Sequence, residues 1–584
     1  MHTATLGSTL CTFTLLLTAG CTDPAPGQPD AGATADGAVT ADSGLADAAG
    51  DPSLLAKVFE LDPLVTPTPR LVQLSGLADD TQGTLTSAAD ATGLRLLKVV
   101  SCVDEGATAA IPGAGIVRIC TLRQRASRLT HGNFVFEDYK EGAASTFDPD
   151  DLFAEVSAYY HVKRIYDLIT DKEVGLFDHL PVRHEAGGAR VPLTVVVNHQ
   201  QPGSAKLTPK GVASYIPREF GQLGLYTLNG LTGVEGDALI LGQGERADFG
   251  YSGEVIYHEF GHMVFTALAG TYAYIYGDAQ GLCHLSSALH EGVADTFAWL
   301  VSGRAKLGGY PDTESGGKGS YLRDADNQAT FPEDIGGAYL HDGQIISGAN
   351  HEVYQLLTNS AGITMKRFVR LLLRTYQALA PQKGKLTFRS YAETLMATLS
   401  AEGLGAHVGA VKEIMGRRGV LDETRAKPID GFDGTDPAKQ TLYTGGVGMG
   451  STSLKIQDPV GGGTLAAAPA YVQTYVDLPA GKTKLTIEAG LVETMTGASS
   501  TAGLDYRIFR RAGSPVAYGI ASSPVQVTCD EVHTPTVEQQ TTPSGVASLA
   551  RWTIEGLQGA TRHYLHMVNY GTASGALVAI KVTY

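Results

Sequence analysis

Two segments constrain the fold of this 584-residue chain more than any other feature. Residues 253–266 read Gly-Glu-Val-Ile-Tyr-His-Glu-Phe-Gly-His-Met-Val-Phe-Thr, and Val255, Ile256, Phe260 and Val264 recur with the period of a helix. Residues 286–300 read Ser-Ser-Ala-Leu-His-Glu-Gly-Val-Ala-Asp-Thr-Phe-Ala-Trp-Leu, with Leu289, Val293 and Phe297 as the apolar stripe of a second helix. Each segment also carries two chelating side chains at i and i+4: His258 and His262 on the first, Glu291 and Asp295 on the second. Side chains one turn apart share a helical face.

That spacing has a chemical meaning. Two imidazoles one turn apart can aim a nitrogen each at one zinc ion, and Glu259 lies beside them, placed to act on water rather than on the metal. Glu291 completes a His₂Glu ligand set that leaves a fourth position for water. Asp295 is placed to accept the outer N–H of a ligand histidine and so fix its tautomer. The pattern that puts Gly three and His six residues after the second histidine is absent, since Phe265 and Leu268 stand there. No CxxC occurs, which excludes a cysteine-based zinc knuckle.

The two segments together resemble the zinc site of the gluzincin metallopeptidases, closest to the thermolysin and fungalysin families. The stretch Leu340-His341-Asp-Gly-Gln-Ile-Ile-Ser-Gly-Ala resembles the family segment whose histidine stabilises the tetrahedral intermediate, and residues 156–162 resemble the helix entering the catalytic domain. The likeness covers roughly residues 148–425. It implies a multidomain α+β fold, with a thermolysin-like catalytic domain of mixed N-lobe and helical C-lobe. It also implies one catalytic Zn²⁺ held by His258, His262 and Glu291, with Asp295 behind them. Glu259 is then the general base, and His341 the oxyanion donor, assisted by one of Tyr272, Tyr274 or Tyr276. The substrates implied are proteins or peptides. Related proteases also bind Ca²⁺, for which no site is assigned here. Three positions depart from the family pattern: His290 precedes the glutamate ligand in place of Asn or Ser. Gly336 stands where an aspartate supports the second-shell histidine, with Asp334 the nearest substitute. Residues 198–235 hold no counterpart of the substrate-gripping Asn-Ala segment. An aminopeptidase of the same clan and a catalytically silent surface-binding lipoprotein are the competing readings. The first lacks its Gly-x-Met-Glu-Asn segment, and intact Glu259 argues against the second.

The flanks read differently. The first 20 residues hold no Asp, Glu, Lys or Arg, and an apolar stretch from Leu10 to Leu17 runs into Thr18-Ala19-Gly20-Cys21. This is the pattern of an export signal (1–21) with a lipobox-like end, in which Cys21 is the lipidated residue. Residues 22–54 form a flexible acidic linker: positions 22–53 are almost wholly Ala, Gly, Asp, Pro, Thr and Ser, with six Asp and no basic residue. Beyond the signal no apolar run is long enough to span a membrane, so the only membrane attachment expected is the lipid. A net charge of −16, from 44 basic and 60 acidic residues, disfavours nucleic acid as a partner.

Residues 55–145 read as a small, mostly β region, open to interpretation as a removable propeptide. Within it Cys102 and Cys120 flank a Gly/Ala/Pro-rich turn and suit a local disulfide. The pairing of Cys283 and Cys529 is left open, and Cys283-His284 reads as structural. Residues 146–432 are the expected metallopeptidase domain, with helices over Asp148–Ile169, Thr364–Leu379 and Phe388–Leu399 and a strand over Val191–Val197. Short alternating runs after 433 predict an antiparallel β-sandwich to the C-terminus, expected to bind substrate or a cell surface. His563 and His566 fall on one of its strands at i and i+3. Opposite sides of a strand cannot share a metal.

Overall fold

The computed structural model describes residues 54–77, 85–86, 97–111, 114–127, 133–136, 151–177, 185–186, 189–270, 275–382, 385–429, 442–444, 453–460, 462–493, 504–542 and 545–584. The signal, Cys21, positions 22–53 of the acidic linker, Tyr272, Tyr274 and the boundaries expected near 145 and 432 lie outside the described residues, whereas Leu54, the linker's expected last residue, is buried. What is described is a mixed α+β protein.

A five-stranded sheet forms the floor on which the helices rest. Its strands are β1 (Leu97–Val103), β2 (Thr121–Arg123), β3 (Leu193–His199), β4 (Ala213–Ile216) and β5 (Ala238–Gly242), in the order β4-β5-β3-β1-β2. The pairings β5/β3 and β3/β1 are parallel, and the two outer pairings are antiparallel. Apolar clusters cover both faces of β3, with Leu193, Val195 and Val197 in one and Val196 in the other, so all seven of its residues are buried and its Leu-Thr-Val-Val-Val run needs no alternation. Cys102 and Cys120 form the expected disulfide, buried where β1 turns back into β2. Strand β1 lies inside this sheet, between β3 and β2. Strands from 97–123 and 193–242 therefore share one hydrogen-bonded layer.

Helix α1 (Leu152–Ile169) packs on the sheet and starts where the Asp151 carboxylate accepts the Phe153 and Ala154 amides. Its Glu155 is buried and accepts from Ser101 Oγ at 2.6 Å and from the Ala126 amide at 3.0 Å. The first described residues are tied in as well. Phe59 O bonds His161 Nε2 at 3.1 Å, and Leu61 O accepts the Gly253 amide at 2.7 Å.

Helices α2 (Gly253–Ala269) and α3 (Leu285–Ser302) occupy the centre. Ser252 caps α2 through the Val255 amide, and left-handed Gly270 and Gly303 end the two helices. Both are buried nearly all round, as helices of the middle of a large core are. They approach closely because residue 261 is glycine: a Cβ there would lie 2.9 Å from the Ala294 Cα. Short helix α4 (Tyr339–Asp342) leads into α5 (Gln344–Ala361), followed by α6 (Met365–Leu379) and α7 (Phe388–Ala401). Thr364 caps α6, and a Thr387/Ser390 capping box starts α7.

Among the described residues the C-terminal part holds two large sheets and a two-stranded one that pairs 517–519 with 526–528. One large sheet runs 426–428, 473–477, 562–569, 464–469, 454–457, with 506–512 joined to it through 562–569 and 531–533 paired to 506–512. The other runs 442–444, 575–583, 484–493, 545–555, 536–542 and is antiparallel throughout. The parallel pairing of Ala426–Pro428 with 473–477 brings a strand from before residue 433 into the first sheet. Trp552, Ile487, Leu565 and Ile508, drawn from both sheets, belong to one buried apolar cluster. On strand 562–569 His563 meets Arg510 and Gln558 O, whereas His566 meets Tyr518 and Ala470 O. The two rings have no common partner.

Candidate metal centre

The close crossing of α2 and α3 brings the paired side chains face to face. His258 Nε2 lies 3.1 Å from His262 Nε2 and 3.4 Å from Glu291 Oε2, and His262 Nε2 lies 3.6 Å from Glu291 Oε1. Among the described residues this trio is the one group of three or more His, Cys, Asp or Glu side chains clustered closely enough to hold a metal ion. The geometry fits zinc: ligand bonds of about 2.0–2.1 Å in a tetrahedron put ligand atoms about 3.3–3.4 Å apart.

The outer nitrogens of both rings are engaged, which leaves the inner ones free to ligate. His258 Nδ1 donates to Asp295 Oδ1 at 2.9 Å. His262 Nδ1 lies 2.5 Å from His290 Nδ1, with the two rings stacked at 4.6 Å, and His290 Nε2 is 3.0 Å from Thr266 Oγ1. The residue that departs from the family pattern thus does for His262 what Asp295 does for His258. A further partner is Arg323, buried between the carboxylates, with Nη2 3.3 Å from Glu291 Oε2 and Nε 3.2 Å from Asp295 Oδ2. Its sequence neighbourhood gives no hint of this, because a two-residue strand, Arg323–Asp324, carries it in.

Electrostatics separate the four groups. Burial works against a charged His258, but the Asp295 and Glu291 carboxylates outweigh it and push the ring up to about 10. Burial holds His262 well below the ordinary histidine range, reinforced by His258, His290 and Arg323. Burial would raise the Glu291 carboxyl, yet His262, His258 and Arg323 hold it at about 2. Glu259 goes the other way: burial pushes it up to about 7, against His258 and the Tyr215 backbone amide that bonds it.

His341 is half-exposed on α4. The turn after it packs directly on α3, since a Cβ at Gly343 would lie 2.8 Å from the Glu291 Cβ. The adjacent Asp342 lies with Oδ1 3.6 Å from His341 Nδ1. Asp334, the candidate from sequence, bonds instead to the Thr330 amide and hydroxyl. Cys283 is a buried free thiol, and Cys529, on the C-terminal sheets, is also free. Tyr276 is described and forms a hydrogen bond with Cys283. A scan of the chain against protein-family models finds no match, and a search of the curated proteins finds none either.

Proposed function

We propose that this chain is an exported zinc-dependent endopeptidase of gluzincin type, with a thermolysin-like catalytic domain followed by a β-sandwich. The observation that carries this reading is the trio of ligand atoms 3.1–3.6 Å apart, with both outer imidazole nitrogens fixed and a buried carboxylate, Glu259, beside them. Zinc held there supplies Lewis-acid polarisation of a carbonyl and a more acidic water. Glu259, oriented by the Tyr215 amide and pushed up to about 7, takes the proton of the attacking water and returns it to the leaving amine. His341 donates to the oxygen on which charge develops. Strand β4, the sheet edge that supplies that Tyr215 amide, is where an extended peptide would lie, by adding a strand. The apolar leader and acidic linker support export with a lipid anchor on Cys21.

The test uses residues 22–584 and Glu259→Gln, assayed for metal content and casein cleavage. The expected result is one zinc per chain in both proteins, with chelator-sensitive cleavage only in the parent. Zinc in both with cleavage in neither would favour the silent surface-binding reading. Failure of either protein to retain zinc would sink the ligand assignment.

A further inference from the structure

The loop that leads to His341 is clamped from two sides. On the catalytic side, Asp342 is fully buried, and its carboxylate accepts from the Gly336 amide at 3.1 Å, the Gly337 amide at 2.9 Å and His284 Nε2 at 2.6 Å. His284, at the N-terminus of α3, is also fully buried. On the other side stand three groups of the C-terminal sheets. Lys427 Nζ donates to Ile335 O at 2.6 Å, and the Tyr443 amide donates to Gly336 O at 2.9 Å. The Tyr471 ring packs on His284 at 5.0 Å and covers Gly337, where a Cβ would lie 2.7 Å from its Cδ2. Arg425 locks the same interface, pairing with Asp278 at 2.6 Å and donating to Tyr471 O and Leu282 O.

We propose that the C-terminal sheets are the outer jaw of the active-site wall, not a separable binding module, and that Asp342 and His284 are positioning residues that transmit their grip to His341. A fully buried carboxylate bonded by two loop amides and an imidazole has one low-energy arrangement, because any other leaves a charge unpaired in the interior. Tyr471 closes that arrangement from outside. The inference rests on the role given to His341 above, and the test separates the two.

Residues 22–584 would be compared with His341→Ala, Asp342→Asn, Tyr471→Leu and the His341→Ala/Asp342→Asn double variant. The readouts are zinc content, kcat and KM on a fluorogenic peptide, and amide hydrogen exchange over 335–343. Loss of an oxyanion donor costs about 10²–10³ in kcat. Asp342→Asn is expected to lose about 10-fold or more in kcat at unchanged zinc content and nearly unchanged KM. The double variant is expected to be no slower than His341→Ala alone. Tyr471→Leu, more conservative should Asp342→Asn fail to fold, is expected to lower kcat and speed exchange at Gly336 and Gly337 while α2 and α3 stay protected. Parent-like kcat and exchange in a folded, zinc-loaded Tyr471→Leu would overturn the proposal. So would additive losses in the double variant. If His341→Ala cleaves like the parent, or the parent does not cleave, the role of His341 or the peptidase reading is what fails. Exchange over 335–343 then decides the clamp: protection unchanged in Tyr471→Leu overturns it, and lost protection supports it.

Discussion

Replacing His290 isolates how much of the metal grip comes from outside the ligand set. His262 Nδ1 sits 2.5 Å from His290 Nδ1 in a buried contact, and a ligating Nε2 leaves the N–H on Nδ1. His290→Ala orphans that N–H and removes the stacked ring that holds the plane of His262. An unsatisfied buried donor costs about 1–3 kcal/mol. The loss of an outer-shell partner typically weakens metal binding about 10–100-fold, which is about 1.4–2.7 kcal/mol. The two routes agree, so a fall in zinc affinity of that size is expected. Competition with a chromophoric chelator at fixed pH measures it. His290→Asn keeps an acceptor near His262 Nδ1 and is expected to recover most of the loss. A folded His290→Ala that holds zinc within twofold of the parent would refute the reasoning, since His262 would then be set by its helix alone.

Removing residues 1–145 is expected to prevent folding, whereas removing 1–53 is not. The first deletion removes β1 and β2, leaves β3 without its parallel neighbour on that side, and strips buried Glu155 of Ser101 and the Ala126 amide. Solubility and circular dichroism of the two truncations decide this, and a folded 146–584 would restore the propeptide reading. The Cys102–Cys120 bridge closes a loop of sequence separation 18, so Cys102→Ser/Cys120→Ser is expected to lose about 3 kcal/mol of unfolding free energy. Denaturant titration reads that loss, and an unchanged midpoint would mean the bridge does not constrain the unfolded chain. The Asp342 carboxyl is held below its ordinary range: burial opposes this, but the bonds to His284 and His341 prevail. Its stabilisation is therefore full above about pH 4 and is lost as pH falls through the lower folded value. Asp342→Asn is expected to be less stable than the parent at neutral pH and to show a flatter acid limb in thermal melts between about pH 4 and pH 2.

The local features of the chain were legible because they depend on spacing along it. Helical period and the i, i+4 pairs placed His258 with His262 and Glu291 with Asp295. The helical periods at Thr364–Leu379 and Phe388–Leu399 came within two residues of the observed bounds, Met365–Leu379 and Phe388–Ala401, and the apolar run at 191–197 marked β3. What joins these pieces depends on contacts between residues far apart in the chain, which carry no period. Arg323 reaches Glu291 from a two-residue strand, and His290 came to notice only as a departure from a pattern. Tyr215 offers Glu259 a backbone amide, a group that every residue except proline possesses. Asp342, next to His341, is buried and accepts the Gly336 and Gly337 amides, a set of contacts that no spacing along the chain foretells. The N-terminal strands looked separable because their alternation is that of any small β region, yet the parallel pairing of β1 with β3, Leu97 opposite Leu193, builds it and β2 into the central sheet. Side-chain chemistry and local period were set by the sequence alone. Which distant groups share a low-dielectric interior, and so which charges must pair, was decided by the packing of α2 against α3 and of the C-terminal sheets against the loop before His341.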